Sequence, residues 1–223
     1  MIDSDHRPLL AIDTSSSQAG IALYDGHRLS VRSWPAARTH TTTLLAEIHH
    51  LLERADITPR ELAAVAIATG PGTFTGLRVG FGVAKGLHLV TSVPLIGVST
   101  LEAAALPFAI CGSAIVAAVT AGRGRLVWAH YRPENEGLVE TRPPRNGTVI
   151  ELVSELAVER TIIVIGEFDD EQADQLTRAD GIFVPARALR YRQPAAVAEI
   201  GWRRLNAGHT DDATAIEPTY LSR

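Results

Sequence analysis

A glycine-rich turn holds the residues best suited to chemistry in this sequence. Thr69-Gly70-Pro71-Gly72-Thr73 follows an apolar run, residues 62–68, that predicts a buried strand, and it precedes a helical pattern. The two glycines can adopt positive φ and the proline fixes its own φ, so the turn is stiff and directs backbone N–H groups toward a helix N-terminus. Such a corner either holds an anion, through these donors and the helix dipole, or is an ordinary tight turn capped by Thr73 or Thr75.

Patterns for metal binding and nucleophilic catalysis are missing from the sequence. The eight histidines show no H-E-x-x-H or other paired ligand spacing, and the neighbours His49 and His50 face apart on a helix. Cys111, the single cysteine, follows an apolar run with no histidine near it in sequence, which predicts a buried, inert thiol. The serines near Asp13 lack the G-x-S-x-G context of a nucleophile elbow. A protease function is therefore not supported, because the sequence offers neither a nucleophile nor a metal site for it.

Composition places the chain among globular proteins. Hydrophobic residues make up 46% of the 223 residues and the formal net charge is −4, so one large domain or two small lobes are expected rather than disorder. No apolar run reaches the ~20 residues that span a bilayer. Residues 1–7 lack an apolar signal core, and a single cysteine suits a reducing cytosol. The sequence thus predicts a cytoplasmic protein with no membrane partner.

Arginines cluster in two regions of the second half, but glutamates are interleaved with them. The mild net acidity argues against a dedicated, high-affinity nucleic-acid binder. A contact with tRNA would therefore be indirect or weak, driven by phosphate electrostatics. The clustered arginines are Arg123, Arg125, Arg132, Arg187, Arg190, Arg192, Arg203 and Arg204.

The helix after the turn is unusually rich in glycine. Gly76, Gly80, Gly82 and Gly86 together cost about 3–4 kcal/mol of helix stability relative to alanine. Only close packing against another backbone is expected to offset that loss, so the glycine face either packs on a sheet inside the monomer or meets a partner helix. A second helix, residues 41–55, carries a broad apolar stripe that belongs either to the core or to an interface.

Alternating and helical patterns divide the chain into two similar halves. Three antiparallel strands open the fold, with a hairpin turn at Asp25-Gly26, and a strand–helix–strand order continues it. The same opening recurs after Ile115 in a degraded form. The predicted strands are 9–13, 19–24, 28–34, 62–68, 94–98, 115–120, 125–131, 137–141 and 161–165. The predicted helices are 41–55, 75–90, 148–159, 171–178 and 194–206, with a loop at 143–147.

Several strings of residues resemble a known family. Residues 70–80 read G-P-G-T-F-T-G-L-R-V-G, and they are followed by A-K-G at 84–86 and P-L-I-G-V-S-T-L-E at 94–102. With L-A-I-D-T-S at 10–15, residues 40–52 and the tail E-P-T-Y-L at 217–221, these strings resemble the TsaB (YeaZ) family. The resemblance covers most of the first half and the tail, and between residues 110 and 205 it is loose.

The resemblance implies an α/β fold of the actin-like ATPase type, which sugar kinases, heat-shock ATPases and ribonuclease H-like proteins share. Two lobes with mixed sheets are expected. The chain would divide into an N-terminal lobe at 1–107, a degraded C-terminal lobe at 108–206 and a tail at 207–223 that packs back on the N-terminal lobe.

In that superfold ATP lies between the lobes, and two carboxylate-bearing hairpin turns approach its phosphates and Mg²⁺. Asp13 stands at the first of these positions, although an Asx turn that merely closes the strand explains it equally well. At the second position Thr120 begins T-A-G-R, where relatives often read Asp-Ala-Arg. Efficient ATP hydrolysis is therefore not expected, and weak ATP or ADP binding at a complex interface is the alternative. Nucleotide contacts would come from Asp13, Thr14, Ser15, Gly70, Gly72 and Thr73.

The resemblance also implies what this chain does with partners. The histidine pair that ligates metal in the family's partner, TsaD, corresponds here to Thr100 and Ala104, so no metal is expected. In the family, the two helices after residue 40 and after the glycine turn form the surface for self-association and for TsaD. The implied interface residues are His40, Leu44, Leu45, Ile48, Leu52, Phe74, Thr75, Arg78, Phe81, Gly82 and Lys85.

The sequence therefore predicts a non-catalytic partner that binds TsaD and supports formation of threonylcarbamoyladenosine next to the anticodon of tRNAs. TsaE would be a further partner, the isolated protein would form a homodimer, and no cofactor would be required. The alternative is an ATP-binding or ATP-hydrolysing enzyme of the actin-like superfold, which would use Asp13 and the glycine turn. A free RNA-binding protein is disfavoured by the net charge of −4.

Overall fold

Two five-stranded mixed sheets organise the chain. The computed structural model describes residues 7–36, 40–135, 137–157 and 161–220. The strands are β1 (Leu9–Asp13), β2 (Gln18–Tyr24), β3 (Leu29–Pro35), β4 (Ala64–Gly70), β5 (Leu95–Ser99), β6 (Ala114–Thr120), β7 (Arg125–Glu134), β8 (Gly137–Thr148), β9 (Ile162–Glu167) and β10 (Ile182–Phe183).

The helices that cover these sheets are mostly short. They are α1 (His40–Arg54), α2 (Phe74–Thr91), α3 (Thr100–Ala105), α4 (Val149–Leu156), α5 (Asp170–Thr177), α6 (Arg187–Arg190) and α7 (Pro194–Asn206). Short 3₁₀ helices occupy Pro59–Glu61 and Leu106–Cys111. In the part of the chain that the structure describes, no helix combines the length and the apolar character needed to cross a membrane.

The first sheet has the strand order β3-β2-β1-β4-β5 and forms the core of unit 1, which comprises residues 1–100 and 193–219. β1 pairs antiparallel with β2 and parallel with β4, and all five of its residues are buried. Alternate side chains of a strand point to opposite faces. Leu10 and Ile12 accordingly pack in one cluster with residues of α1 and α2, whereas Leu9 faces α7 on the other side. The sheet is thus covered by helices on both faces.

Helix α7 lies in unit 1, whereas the sequence analysis placed its residues in a C-terminal lobe at 108–206. Its bounds are as predicted, but it packs on β1, β2, β4 and β5. Gly201 permits this approach, because a Cβ there would lie 2.6 Å from the Cβ of Ala66. The following segment also runs along unit 1, where the Asp211 N–H donates to the Leu95 carbonyl at 2.9 Å. The amphipathic pattern of α7 predicts its bounds, but not which sheet it covers.

The second sheet repeats the first within unit 2, residues 101–192 and 220–223. Its order is β10-β9-β6-β7-β8, with β6 antiparallel to β7 and parallel to β9. Strand order and direction therefore match those of the first sheet, so the predicted repeat of the opening topology is confirmed. Its last strand, β10, is only two residues long.

The predicted loop at 143–147 is wrong, because β8 continues through it. Arg145 pairs with Trp128 and Gly147 pairs with Leu126, after irregularities in the register near His130. β8 lies at the edge of the sheet. Edge strands and register irregularities tolerate proline, which has no N–H to donate, so Pro143 and Pro144 do not end the strand. Helix α4 then ends at Leu156, short of the predicted residue 159, and residues 158–160 lie outside the described part of the chain.

The hairpin turn between β2 and β3 is held by Asp25. Its Oδ1 accepts hydrogen bonds from the N–H groups of His27 at 2.9 Å and Arg28 at 2.6 Å. Burial raises the pKa of this carboxyl, but the two backbone donors and the charge of Arg28 outweigh it, so the pKa lies below its usual value. The turn is therefore more stable with Asp25 ionised.

Replacing this carboxyl by Asp25→Ala is expected to lower the free energy of unfolding by about 1–2 kcal/mol at pH 7, because two N–H groups lose their acceptor. Since the pKa is depressed in the folded state, the contribution is complete above the unfolded-state value of about 3.9 and is lost as pH falls through the folded value. Urea unfolding between pH 7 and the lowest pH at which the wild type stays folded measures this. Asp25→Asn keeps an oxygen acceptor and serves as the control. A wild-type advantage that does not shrink with falling pH would contradict the assignment.

Candidate protein-binding groove

The structure brings the predicted nucleotide-contact residues together where β1 ends beside the glycine turn. Asp13 Oδ1 accepts hydrogen bonds from the backbone N–H and the Oγ of Ser15, and the Thr73 N–H donates to the Ser15 carbonyl at 2.7 Å. A Cβ on Gly72 would overlap that carbonyl oxygen. Gly70 has a φ of +109°, in the range that favours glycine. The Asp13 carboxylate thus holds the loop after β1 together, and the Thr73 N–H joins that loop to the glycine turn.

The first half of α2 packs tightly against the same loop. Thr14 Oγ1 donates to the Gly76 carbonyl at 2.7 Å. A Cβ on Gly76 would overlap the Thr14 carbonyl oxygen, and a Cβ on Gly80 would lie 2.5 Å from Thr14 Oγ1. These two glycines therefore permit close packing of the helix inside unit 1. Gly82 and Gly86 differ, because a Cβ at either position would meet nothing within 4 Å.

Thr100 and Thr120 are the two other positions at which the sequence analysis looked for catalytic or metal-binding side chains. Thr100 is buried and its Oγ1 donates to the Pro71 carbonyl at 2.6 Å, which ties α3 to the glycine turn. Thr120 is exposed and leads into a turn in which Gly122, Arg123 and Gly124 all have positive φ. Among the described residues, no group of three or more His, Cys, Asp or Glu side chains is arranged to hold a metal ion. Thr120 carries a hydroxyl at the position where the sequence analysis looked for a second carboxylate, the kind of hard oxygen ligand that Mg²⁺ prefers.

Cys111 is exposed, and the prediction of a buried thiol is wrong. It ends the 3₁₀ helix Leu106–Cys111 beside Ile110, which is 92% exposed. The apolar run in the sequence therefore ends on the surface of unit 2 rather than in its core.

Four residues assigned to the interface by resemblance belong instead to the core of unit 1. Leu44, Ile48, Leu52 and Phe81 are each at most 5% exposed and pack in the cluster that includes Leu10 and Ile12. Their side chains point toward the sheet, because α1 and α2 both turn their broadest apolar stripes inward. In the isolated chain these four side chains expose almost no surface to a partner. The side chain of His40 lies outside what the structure describes.

The remaining residues of α1 and α2 leave an apolar groove open to solvent. Its volume is about 620 Å³, and it is lined by Leu45, Phe74, Thr75, Arg78, Val79, Gly82, Val83, Gly86 and Leu87. Five of these were predicted. The other four are Val79, Val83, Gly86 and Leu87. Helical spacing of three or four residues places them on the same side of α2 as Gly82. The predicted Lys85 is half-buried and is not among the lining residues.

Two large side chains dominate this groove. Leu45 is 51% exposed and Phe74 is 54% exposed, and together they add to a contiguous apolar patch in the groove. The guanidinium of Arg78 stacks over the Phe74 ring, with Cζ 3.9 Å from the ring centroid. Gly82 and Gly86 line the same groove without side chains, so a partner helix can approach the backbone of α2 closely at these positions. Apolar, aromatic and arginine side chains around a cleft are the composition of a protein interface.

Comparison with known proteins agrees with this architecture. The family model described as "TsaD: tRNA N6-adenosine threonylcarbamoyltransferase" matches residues 34–159, more than half of the chain. The tRNA threonylcarbamoyladenosine biosynthesis protein TsaB of Bacillus subtilis is 26% identical over 217 residues, 96% of this chain and 93% of that protein. The chain belongs to the TsaB (YeaZ) family. The Escherichia coli protein of the same name is 33% identical over 132 residues, 58% of this chain and 57% of the relative's length.

The fold of the TsaB family is also found among solved structures. YeaZ from Pseudomonas aeruginosa superposes with a TM-score of 0.82 at 21% identity, and the match covers 96% of this chain and 99% of that one. This likeness shows that the chain has the fold of that YeaZ protein, and the repeated strand order agrees with the two mixed sheets that the sequence predicts.

Proposed function

We propose that this chain is the TsaB-type partner of a TsaD protein, and that it supports the formation of threonylcarbamoyladenosine in tRNA. The observation that carries the proposal is the open apolar groove between α1 and α2 in a chain of this family. The chain itself takes no part in the chemistry, which belongs to the partner. Its role is to cover an apolar surface of TsaD and so stabilise the assembled complex.

The groove explains why such a partner is needed. Half-exposed Leu45 and Phe74 place apolar surface in water, and burial of that surface stabilises a complex by about 25 cal/mol for each Å² removed from water. In the isolated protein a second copy covers the same groove, which gives a homodimer that dissociates when TsaD binds. TsaE joins the complex through TsaD rather than through this groove. Contact with tRNA is weak and indirect.

Light scattering on a sizing column tests this proposal most simply. The chain alone, the TsaD of the same organism alone, and their mixture are compared at equal concentrations. We expect the mixture to contain a complex whose mass is that of one copy of each chain or a multiple of it, with loss of the homodimer. A mixture that elutes as the two separate proteins over the micromolar range would contradict the proposal.

A variant of Asp13 separates this role from the alternative of an ATP-using enzyme. Asp13→Asn keeps an oxygen that accepts from Ser15, so the fold is expected to be retained. Any ATPase rate of the complex with TsaD and TsaE should stay within about twofold of the wild-type rate, because removing a required catalytic group typically costs orders of magnitude. An ATPase rate that falls a hundredfold or more with an unchanged circular dichroism spectrum would instead assign catalysis to Asp13. No cofactor is needed for the proposed role, and nucleotide binding stays a prediction.

A further inference from the structure

A buried guanidinium in unit 2 has donors that no described residue accepts. Arg190, the last residue of α6, is 7% exposed. Within residues 7–36, 40–135, 137–157 and 161–220, its Nε and Nη1 have no hydrogen-bond partner. The guanidinium stacks on the Phe168 ring, with Cζ 4.5 Å from the centroid. Such stacking attracts the charge but leaves the N–H groups at the edge of the guanidinium without acceptors.

Carboxylates near Arg190 in sequence have other cationic partners. Glu167 Oε1 lies 3.2 Å from Nη1 of Arg192, an ion pair without hydrogen-bond geometry, and among the described residues this oxygen accepts no hydrogen bond. Both oxygens of Asp170 accept hydrogen bonds from Nη1 of Arg187, at 3.0 and 3.1 Å. Three arginines thus lie close together along the chain, and the two carboxylates are paired with the outer two. Arg190, the arginine between them, is buried, and neither of these two carboxylates is its partner.

The electrostatic state of Arg190 follows from this arrangement. Burial lowers the pKa of its guanidinium, the charge of Arg187 lowers it further, and Asp170 partly offsets both. Arginine nevertheless stays protonated at neutral pH, since its unperturbed pKa is above 12. A buried cation without an anionic partner destabilises a fold, and it is well placed to bind an anion that restores the balance.

We propose that Arg190 is the binding group of an anion site in unit 2, which takes the carboxylate or phosphate of a small ligand. The planar guanidinium matches both groups through paired N–H donors. A small ligand is favoured over an RNA backbone, because only 7% of Arg190 is exposed. Leu189, the residue before it on α6, is 64% exposed, so α6 lies at the surface of unit 2. This site is separate from the α1–α2 groove and does not depend on the proposed function.

Thermal unfolding of the full chain tests the site with inorganic phosphate and with succinate as the two probes, at constant ionic strength. Arg190→Met removes the donors and keeps a long apolar side chain on Phe168. Arg178→Met is the matched control, because Arg178 is an exposed arginine of the same unit. We expect at least one probe to raise the unfolding midpoint of the wild type and of Arg178→Met, and to have no effect on Arg190→Met. The probe that acts distinguishes a phosphate ligand from a carboxylate ligand.

The stability of the variant without probe gives a second readout. Arg190→Met should unfold at the wild-type midpoint or above it, because the variant lacks an unpaired buried charge. Equal responses of all three chains to both probes, no response in any of them, or a lower midpoint for Arg190→Met alone would overturn the proposal. If Arg190→Met does not fold, the side-chain Nε–H resonance of Arg190 in the wild type, assigned through Arg190→Lys, must shift with phosphate or succinate. A resonance that does not move would equally overturn it.

Discussion

Gly76→Ala is expected to destabilise the chain severely, and Gly82→Ala is expected to stabilise it, although both glycines lie in the same helix. A Cβ at Gly76 would overlap the Thr14 carbonyl oxygen, which belongs to backbone and cannot move aside as a flexible side chain would. Overpacking of this kind costs about 1–3 kcal/mol or more. At Gly82 a Cβ would meet nothing within 4 Å in the same chain, so the monomer, measured below the concentration at which a homodimer forms, gains about 1 kcal/mol of helix propensity.

Urea unfolding of the two variants and the wild type measures this difference. Fluorescence and far-ultraviolet circular dichroism should be followed together, because the chain has two units and need not unfold in one step. We expect the stabilities to rank Gly82→Ala above wild type above Gly76→Ala, with the two variants separated by about 2 kcal/mol or more. Equal stabilities of the two variants would show that the close approach of α2 to the loop after β1 is not as described.

Leu45→Glu combined with Phe74→Glu is expected to weaken the complex with TsaD at least a hundredfold. Both side chains are about half exposed on the groove, so their replacement leaves the core of unit 1 intact. Loss of two large anchors in an interface costs about 2 kcal/mol or more for each, and two new carboxylates would have to be buried as well. The helix itself tolerates the change, since a glutamate at 74 lies four residues before Arg78 and can pair with it.

The control for this double variant is Ile150→Glu. Ile150 is 69% exposed on α4 of unit 2, so the substitution has the same chemistry on a surface that takes no part in the proposal. Titration calorimetry with TsaD should show wild-type affinity for the control and no measurable binding for the groove variant. The groove assignment would be wrong if the two variants bound equally well. Loss of helical circular dichroism in the double variant would point to unfolding rather than to an interface.

The pattern of the sequence indicates most of the fold, but not the side of each element that faces solvent. Leu44 and Leu45 are adjacent and chemically identical, yet one is fully buried and the other is 51% exposed. Their different positions depend on how α1 rotates over β2 and β3, which no local pattern records. The resemblance pointed to the two helices that line the groove, but its set of residues includes Ile48 and Phe81, whose side chains lie in the core.

The glycines and arginines show the same limit. Gly76 and Gly82 have the same local propensity, and only the position of the loop after β1 shows that one is needed for packing and the other leaves the groove open. Among the clustered arginines, the sequence gives no sign that Arg190 is the one buried against Phe168. Bounds of elements and strand order depend on periodicity and turn chemistry, which are local. The contacts that define a site come from chain segments far apart in sequence.

Reconstituted modification of tRNA tests the central claim most directly. TsaD and the other components of the same organism are supplied with a donor of the threonylcarbamoyl group and unmodified tRNA, and the threonylcarbamoyladenosine formed is measured by mass spectrometry of the digested nucleosides. We expect product with the wild-type chain, with Asp13→Asn and with Ile150→Glu, and little or none without the chain or with Leu45→Glu and Phe74→Glu combined. Full activity without the chain, or with the folded groove variant, would contradict the account.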